Sequence, residues 1–407
     1  MHTSEDEMTS TSSRFTTPRW LLAIIPLVLL GGVLWLFVEF APLHTLVGDL
    51  PPIEDLTIER AELRPEGIIL HVINGGPDPV TIAQVQVDEA YWSFTMEPSS
   101  QTLSRLSRAE IQIPYPWVEG DLHEVRLVTS TGVTFDHVIE VATMTPQADA
   151  YHWFIFALIG FFVGIVPVGL GLMWFPLLKQ LSSTGLDFIL ALTIGLLIFL
   201  LVDMVLEGLE VAATLPDVFR AIPLVFFAGM LSFLVLLAVG GRRSVKDRST
   251  PAGRFWIATA IAIGIGLHNL GEGMAIGSAT ALGEAALGSF LVIGFALHNI
   301  TEGVGIGAPM AKDQPGVRRL FGLALLAGSP AILGVWIGGF SYSPLLAVVF
   351  LSIGAGAILQ VIYEVGRLLI PGEAREEGAL RRAVSWVNIG GFTTGLAIMY
   401  ATALLVT

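Results

Sequence analysis

Long apolar runs separated by short polar segments dominate this chain of 407 residues. A membrane-spanning helix needs about 20 consecutive, mainly apolar residues, and nine runs reach that length. They cover residues 20–41, 153–178, 186–206, 218–240, 255–280, 285–310, 317–341, 344–370 and 383–407. The pattern predicts an all-α polytopic membrane protein that is interrupted once, by a long polar segment.

That segment, residues 42–150, alternates apolar and polar positions in short runs such as "IILHVING", "VTIAQVQVD" and "DLHEVRLVTS". Clusters of Gly, Pro, Asn and Asp separate these runs about every ten positions. Such a pattern predicts antiparallel strands, here a small β-sandwich. An open sheet leaves backbone groups unsatisfied in lipid, so we expect this domain to lie in water.

The distribution of basic residues predicts the orientation. If residues 1–19 are cytoplasmic and every run crosses once, the cytoplasmic segments hold 15 of the 21 Lys and Arg residues. This asymmetry fits the positive-inside rule and places the β domain and the C-terminus outside the cell (inner) membrane. The β domain has 17 acidic residues against five Arg. This charge either concentrates cations near the membrane or only keeps the domain soluble.

The first apolar run resembles a signal sequence because Arg14 precedes it, but it is long and no small-residue cleavage pattern follows. We therefore expect an uncleaved anchor. The predicted domains are a tail (1–19), an anchor (20–41), an extracytoplasmic β domain (42–150) and an eight-helix bundle (151–407).

Two apolar runs carry the same polar frame, H-N-x-x-E-G. They read "IGIGLHNLGEGMAIG" and "IGFALHNITEGVGIG" and supply His268, Asn269, Glu272, His298, Asn299 and Glu302. His at position i and Glu at i+4 share one helix face. The short connection between the two runs predicts antiparallel helices whose motifs meet at similar depth, near the midplane. Repeats related in this way place transport sites midway across a membrane.

Imidazole, amide and carboxylate groups together suit a divalent transition metal. The chain has no Cys, so no thiolate would trap the ion, and this favours passage over storage. The competing interpretation is that the motifs only hydrogen-bond the two helices together. Ionisable groups at membrane depth are costly and usually functional, which favours the metal site.

The paired motifs, "HNLGEG" followed by "HNITEG", resemble the ZIP (Zrt/Irt-like) divalent metal transporters, especially their GufA-like and ZupT-like branch. The resemblance covers residues 152–407. It implies eight core helices with both termini external, and transport of Zn, Fe, Mn or Cd into the cytoplasm. It matches His268, Asn269, Glu272, Asn299 and Glu302 to metal ligands and puts His298 beside them.

The chain departs from the family pattern in three places. Many relatives have Glu before Pro in the sixth core helix, whereas "AGSPAILG" puts Ser329 before Pro330; we therefore expect one tightly bound ion rather than two. The loop "GGRRSVKDRSTPAGR" lacks His. The N-terminal helix and the β domain are additional.

Three further carboxylates are weaker candidates for the metal pathway. Asp203 and Glu207 share a helix face and form either an external funnel or an ordinary hydrated interface. Glu364 either faces the pathway or pairs with Arg367, three positions later.

The interpretation that these patterns favour is a transporter and not an enzyme, with the metal as cargo and no resident cofactor. An intramembrane zinc hydrolase and a metal-sensing receptor are the alternatives. The expected partners are divalent metal ions and membrane lipid, without nucleic acid. The sequence leaves open whether the protein forms a homodimer.

Overall fold

The computed structural model describes residues 19–39, 52–240, 250–283, 285–370 and 384–404. The chain divides into two units, Met1–Pro52 and Ile53–Thr407. In the first unit, helix α1 (Arg19–Glu39) is 21 residues long and mainly apolar; the part of it with described side chains, Ile24–Phe37, is too short to span a membrane by itself. The N-terminal anchor therefore stays a prediction, and residues 1–18 of the predicted tail lie outside the described residues.

The β-rich segment folds as its alternation predicts, into two antiparallel sheets. The strands are β1 (Leu56–Arg64), β2 (Gly67–Asn74), β3 (Val80–Val87), β4 (Ala90–Trp92), β5 (Thr95–Glu97), β6 (Thr102–Leu103), β7 (Arg108–Ile113), β8 (His123–Thr129) and β9 (Thr134–Ile139). One sheet has the order β1-β2-β7-β5, and the other has the order β4-β3-β8-β9 with β6 paired to β3.

One hydrophobic core lies between these two sheets. Ile68, Leu70 and Ile111 of the first sheet and Val85 and Leu127 of the second belong to the same cluster and are at most 1% exposed. The sheets therefore pack face to face as a sandwich, because alternate residues of each strand point to the same side. The side of the membrane on which it lies stays a prediction.

Nine helices of the second unit form the bundle in the described part of the chain. They are α2 (Ala150–Leu178), α3 (Ser183–Ala213), α4 (Ala221–Gly240), α5 (Pro251–Ala281), α6 (Ala285–Gly307), α7 (Val317–Gly328), α8 (Pro330–Phe340), α9 (Pro344–Leu369) and α10 (Trp386–Ala403). Six described spans are long and apolar enough to cross a membrane, with α7 and α8 counted as one. This confirms a multi-pass membrane protein, while the count of eight core spans stays a prediction.

The β domain contacts the C-terminal ends of α3 and α5. Gly283, just after α5, has a positive φ of 82° and lies against the β domain: a Cβ added there would be 2.7 Å from Oγ1 of Thr143. A Cβ added to Gly75 would be 2.3 Å from Cβ of Pro216, in the loop after α3. The ends of α3 and α5 near the β domain are called the outer ends below.

Two spans are broken where they cross each other, a feature that the pattern of apolar runs does not predict. Helix α2 contains a π-helical turn at Phe161–Ile165, followed by Pro167. The other span is interrupted at Pro330, where α7 gives way to α8. A Cβ on Gly164 would lie 2.2 Å from the carbonyl oxygen of Gly328, so only glycine permits this crossing.

The glycine after each motif glutamate makes an equivalent contact with one of the broken spans. A Cβ on Gly273 would lie 2.2 Å from the carbonyl oxygen of Ala331 in α8, and one on Gly303 would lie 2.2 Å from that of Val168 in α2. Helix α5 thus packs on α8 as α6 packs on α2. This correspondence agrees with the predicted repeat and with the use of small residues for close packing in membranes.

Two neighbouring glycines of α2 test this packing. In Gly171→Ala the new methyl group would lie 2.0 Å from the carbonyl oxygen of Ile300, whereas around Gly169 nothing lies within 4 Å. We expect Gly171→Ala to destabilise the protein by about 1–3 kcal/mol through overpacking. Gly169→Ala, the matched control, is expected to be neutral or slightly stabilising. Thermal unfolding in detergent measures both, and equal melting temperatures for the two variants would contradict the packing.

Candidate metal site

Helices α5 and α6 bring the two motifs together inside the bundle. The imidazole centroids of His268 and His298 are 6.1 Å apart. All six motif side chains belong to buried residues, with at most 5% exposure. The predicted meeting of the motifs is thus present, and the site is closed to bulk water.

Glu272 is the centre of the cluster. Its Oε1 lies 2.6 Å from Nε2 of His298 and 3.0 Å from Nε2 of His268. The amide of Asn299 donates to its Oε2 at 3.2 Å. The carboxylate thereby joins both motif helices. Within the described residues, one cluster of three His, Cys, Asp or Glu donors could hold an ion, and it consists of His268, Glu272 and His298.

Glu302 has the same place in its motif but a different environment. Its two carboxylate oxygens are buried and have no hydrogen-bond partner among the described residues. Its nearest basic group is Nε2 of His268, 3.7 Å from Oε1. A buried carboxylate without donors is costly, and a divalent cation in the cluster would remove that cost.

The two motif asparagines form hydrogen bonds with the backbones of the two broken spans. The amide of Asn269 donates to the carbonyl of Ala327 at 2.9 Å, just before the α7–α8 break. The amide of Asn299 donates to the carbonyl of Val163 at 3.0 Å, in the π-helical turn of α2. The Oδ1 atoms of both side chains are buried and have no hydrogen-bond partner among the described residues. Each amide group therefore fixes the backbone, while the oxygen keeps its acceptor capacity for a cation.

Met204 of α3 also lies at the site, although no sequence motif predicts it. Its sulfur lies 2.9 Å from Nδ1 of His268, on the opposite side of the ring from the carboxylates. The contact orients the imidazole so that Nε2 faces Glu272, as groups behind a metal-binding histidine commonly do. The available signal was its position in "LLVDMVLEGLE", directly after Asp203.

The weaker candidates occupy three different places. Asp203 is exposed but within electrostatic range of Glu272 and both histidines, and Glu207 lines a cleft one turn further along α3. Ser329 is half-buried at the α7–α8 break, two residues after Ala327. Glu364 is buried on α9, with Oε1 3.4 Å from where a Cβ on Gly240 would be.

The proposed pairing of Glu364 with Arg367 stays a prediction. The guanidinium carbon of Arg367 lies over the ring of Tyr363, 5.5 Å from its centroid. This stacking gives Arg367 a favourable contact on its own helix.

Two histidines of the β domain, His71 and His123, are each paired with a carboxylate. Nε2 of His71 lies 2.9 Å from Oε1 of Glu62, and this hydrogen bond, together with that from Arg64, lowers the pKa of Glu62 to about 2. Nδ1 of His123 lies 2.8 Å from Oδ2 of Asp88. Neither histidine belongs to a cluster of three or more metal donors within the described residues.

Residues 241–403 match the family model described as ZIP Zinc transporter. The chain carries a ZIP-family segment. The match takes in α5 to α10, and thus both motifs, while the β domain and α2 to α4 lie outside it. A search of the curated proteins finds no match.

Members of the ZIP family are transporters rather than enzymes, so the intramembrane hydrolase alternative is dropped. The match of this segment supports a divalent metal transporter, with zinc as the metal in the family's description. The narrower assignment to the GufA-like and ZupT-like branch stays a prediction.

The unequal surroundings of the two glutamates predict unequal effects on stability. Glu272→Gln should destabilise the metal-free protein by about 1–3 kcal/mol, because its carboxylate is hydrogen-bonded to His298 and Asn299. Glu302→Gln should leave the metal-free protein as stable as wild type, because the carboxylate it removes has no donors. Thermal unfolding in detergent with EDTA measures both. The reverse order of the two melting temperatures would contradict the geometry.

Proposed function

We propose that this protein moves divalent transition-metal ions of the Zn, Fe, Mn or Cd type across the membrane into the cytoplasm. The proposed site consists of His268, Asn269, Glu272, His298, Asn299 and Glu302. The observation that carries the proposal is the meeting of the two H-N-x-x-E-G motifs in one buried cluster. Asp203, Glu207, Ser329 and Glu364 are proposed to lie along the pathway or beside it.

Charge balance supports a divalent cargo. Glu272 and Glu302 together supply two negative charges, which neutralise one divalent ion in a buried site. The Nε2 atoms of His268 and His298, which lie next to Oε1 of Glu272, would coordinate the metal instead. Since histidine binds metal in its neutral form, loading would release any proton held between these groups.

The chemistry of the donors supports passage rather than storage. Imidazole, carboxylate and amide oxygen bind borderline ions without the firm hold of several thiolates. The donors are carried by α5 and α6, which pack on different broken spans. A relative shift of these two helix pairs would change the distances between donors and release the ion.

The orientation is proposed from charge and from the position of the β domain. The positive-inside asymmetry puts residues 1–19 in the cytoplasm and residues 42–150 outside. The anchor at 20–41 and the transport domain at 151–407 complete this arrangement. A cation moving inwards follows the usual membrane potential, and the acidic β domain would raise its concentration at the outer face.

A single tightly bound ion is proposed for this site. Two divalent ions a few ångströms apart repel each other strongly unless carboxylates flank and bridge them. The two motif glutamates balance only one such ion. Ser329, at the place where many relatives have Glu, adds no charge.

Zinc uptake by the purified protein in liposomes tests the proposal. Replacing Glu272 or Glu302 by Ala should abolish uptake, because each carboxylate neutralises part of the charge of a dehydrated ion. The matched control is Glu66→Ala in an exposed turn of the β domain, which should transport as wild type does. Size-exclusion profiles identify any variant that fails to fold. Normal uptake by both folded motif variants would refute the proposed site.

A further inference from the structure

A small cleft lies between the proposed metal site and the outer end of the bundle. It has a volume of about 130 Å³ and lies among α3, α5, α6 and α9. Gly271 lines its inner end, directly before Glu272, and Leu282 and Tyr342 line its outer end. The latter two residues also line the polar cavity beneath β1 of the β domain. The cleft therefore occupies the space between the β domain and the metal site.

Ser278 brings an unusual hydroxyl group to this cleft. The residue is 8% exposed, and its Oγ is buried without a hydrogen-bond partner among the described residues. Helical Ser and Thr side chains commonly bond to the carbonyl four residues earlier, as Thr280 and Thr259 of the same helix do, each at 2.8 Å. Ser278 does not make this bond, so its oxygen keeps both lone pairs.

Glu207 brings a carboxylate to the same cleft. Met274, Leu287 and Leu351 give this cleft a largely apolar wall. The charged groups that act on Glu207 are other carboxylates, namely Asp203, Glu272 and Glu210, and it has no ion pair within the described residues. A row of like charges on an apolar wall is unfavourable unless a cation is present.

The positions of these two groups relate the cleft to the transport site. On α3, Glu207 is one turn closer to the outer end than Asp203 and Met204, and a turn rises about 5.4 Å. On α5, Ser278 lies six residues beyond Glu272, also towards the outer end. A cation at Glu207 and Ser278 would thus be about one to two turns from the proposed site.

We propose that Glu207 and Ser278 form an outer station that holds a partly hydrated divalent cation before it reaches Glu272. The carboxylate supplies the attraction, the hydroxyl supplies an oxygen ligand, and retained water completes the coordination. The cation would then lose its hydration water in two steps, one at the outer station and one at the proposed metal site. This inference rests on the proposed transport function and adds a second position along the route.

A single introduced thiol tests the station without requiring transport. Because the chain has no Cys, Ser278→Cys carries a unique reactive group. A charged methanethiosulfonate applied from the β-domain side should label it, and Zn²⁺ should slow the labelling. Adding Glu207→Gln should remove this protection, whereas the matched control Asp217→Asn, in an exposed outer loop, should keep it. A thiol that is never labelled, or protection that survives Glu207→Gln, overturns the proposal.

Kinetics give an independent readout in the chain with its native serine. Glu207→Gln should raise the KM for Zn²⁺ uptake about tenfold, as expected when one carboxylate ligand of a hydrated cation becomes an amide. Ser278→Ala should raise KM less, and both should keep most of kcat. A fall in kcat at unchanged KM would show a structural role and overturn the station. Absence of uptake by wild type would refute the transport function itself, while zinc protection of the thiol would still report on the station.

Discussion

The bond network of one buried carboxylate, that of Glu272, is the interaction on which the rest of the membrane structure depends. It connects α5 to α6 through His298 and Asn299, and it fixes His268 on its own helix. Such a network requires the helices to approach closely, and the glycine after each motif glutamate permits this by contacting the backbone of a broken span. The breaks in turn present the carbonyls of Val163 and Ala327 to the two asparagines. Site and bundle are thus held by the same contacts.

The repeated motif could be found in the sequence because its signal is local. Spacing alone puts His and Glu on one helix face, and a short connection makes the helices antiparallel. The strands of the β domain could also be predicted from the sequence, because alternation of apolar and polar residues directly reflects which side of a sheet is buried. The family model, at residues 241–403, takes in both motifs, while the part of the resemblance before residue 241 stays a prediction.

Other features depend on packing between distant segments and could not be predicted in this way. Glu272 and Glu302 have the same place in the H-N-x-x-E-G frame. Glu272 nevertheless forms hydrogen bonds with His298 and Asn299, whereas Glu302 has no hydrogen-bond partner among the described residues, because His298 turns towards the neighbouring helix. Met204 contacts His268 only because α3 packs beside α5, and the local sequence of α3 does not contain this information. The break in α2 has no clear sequence signal beyond Pro167, since a π-helical turn needs partners for the carbonyls that it frees.

X-ray absorption at the zinc edge, on zinc-loaded protein, most directly tests the claim that the paired motifs form one metal site. The proposed site predicts two imidazole ligands and additional oxygen ligands for each bound zinc. His268→Gln and His298→Gln should each remove one imidazole from the spectrum. Zinc coordinated only by oxygen, or a spectrum that neither substitution changes, would contradict the account.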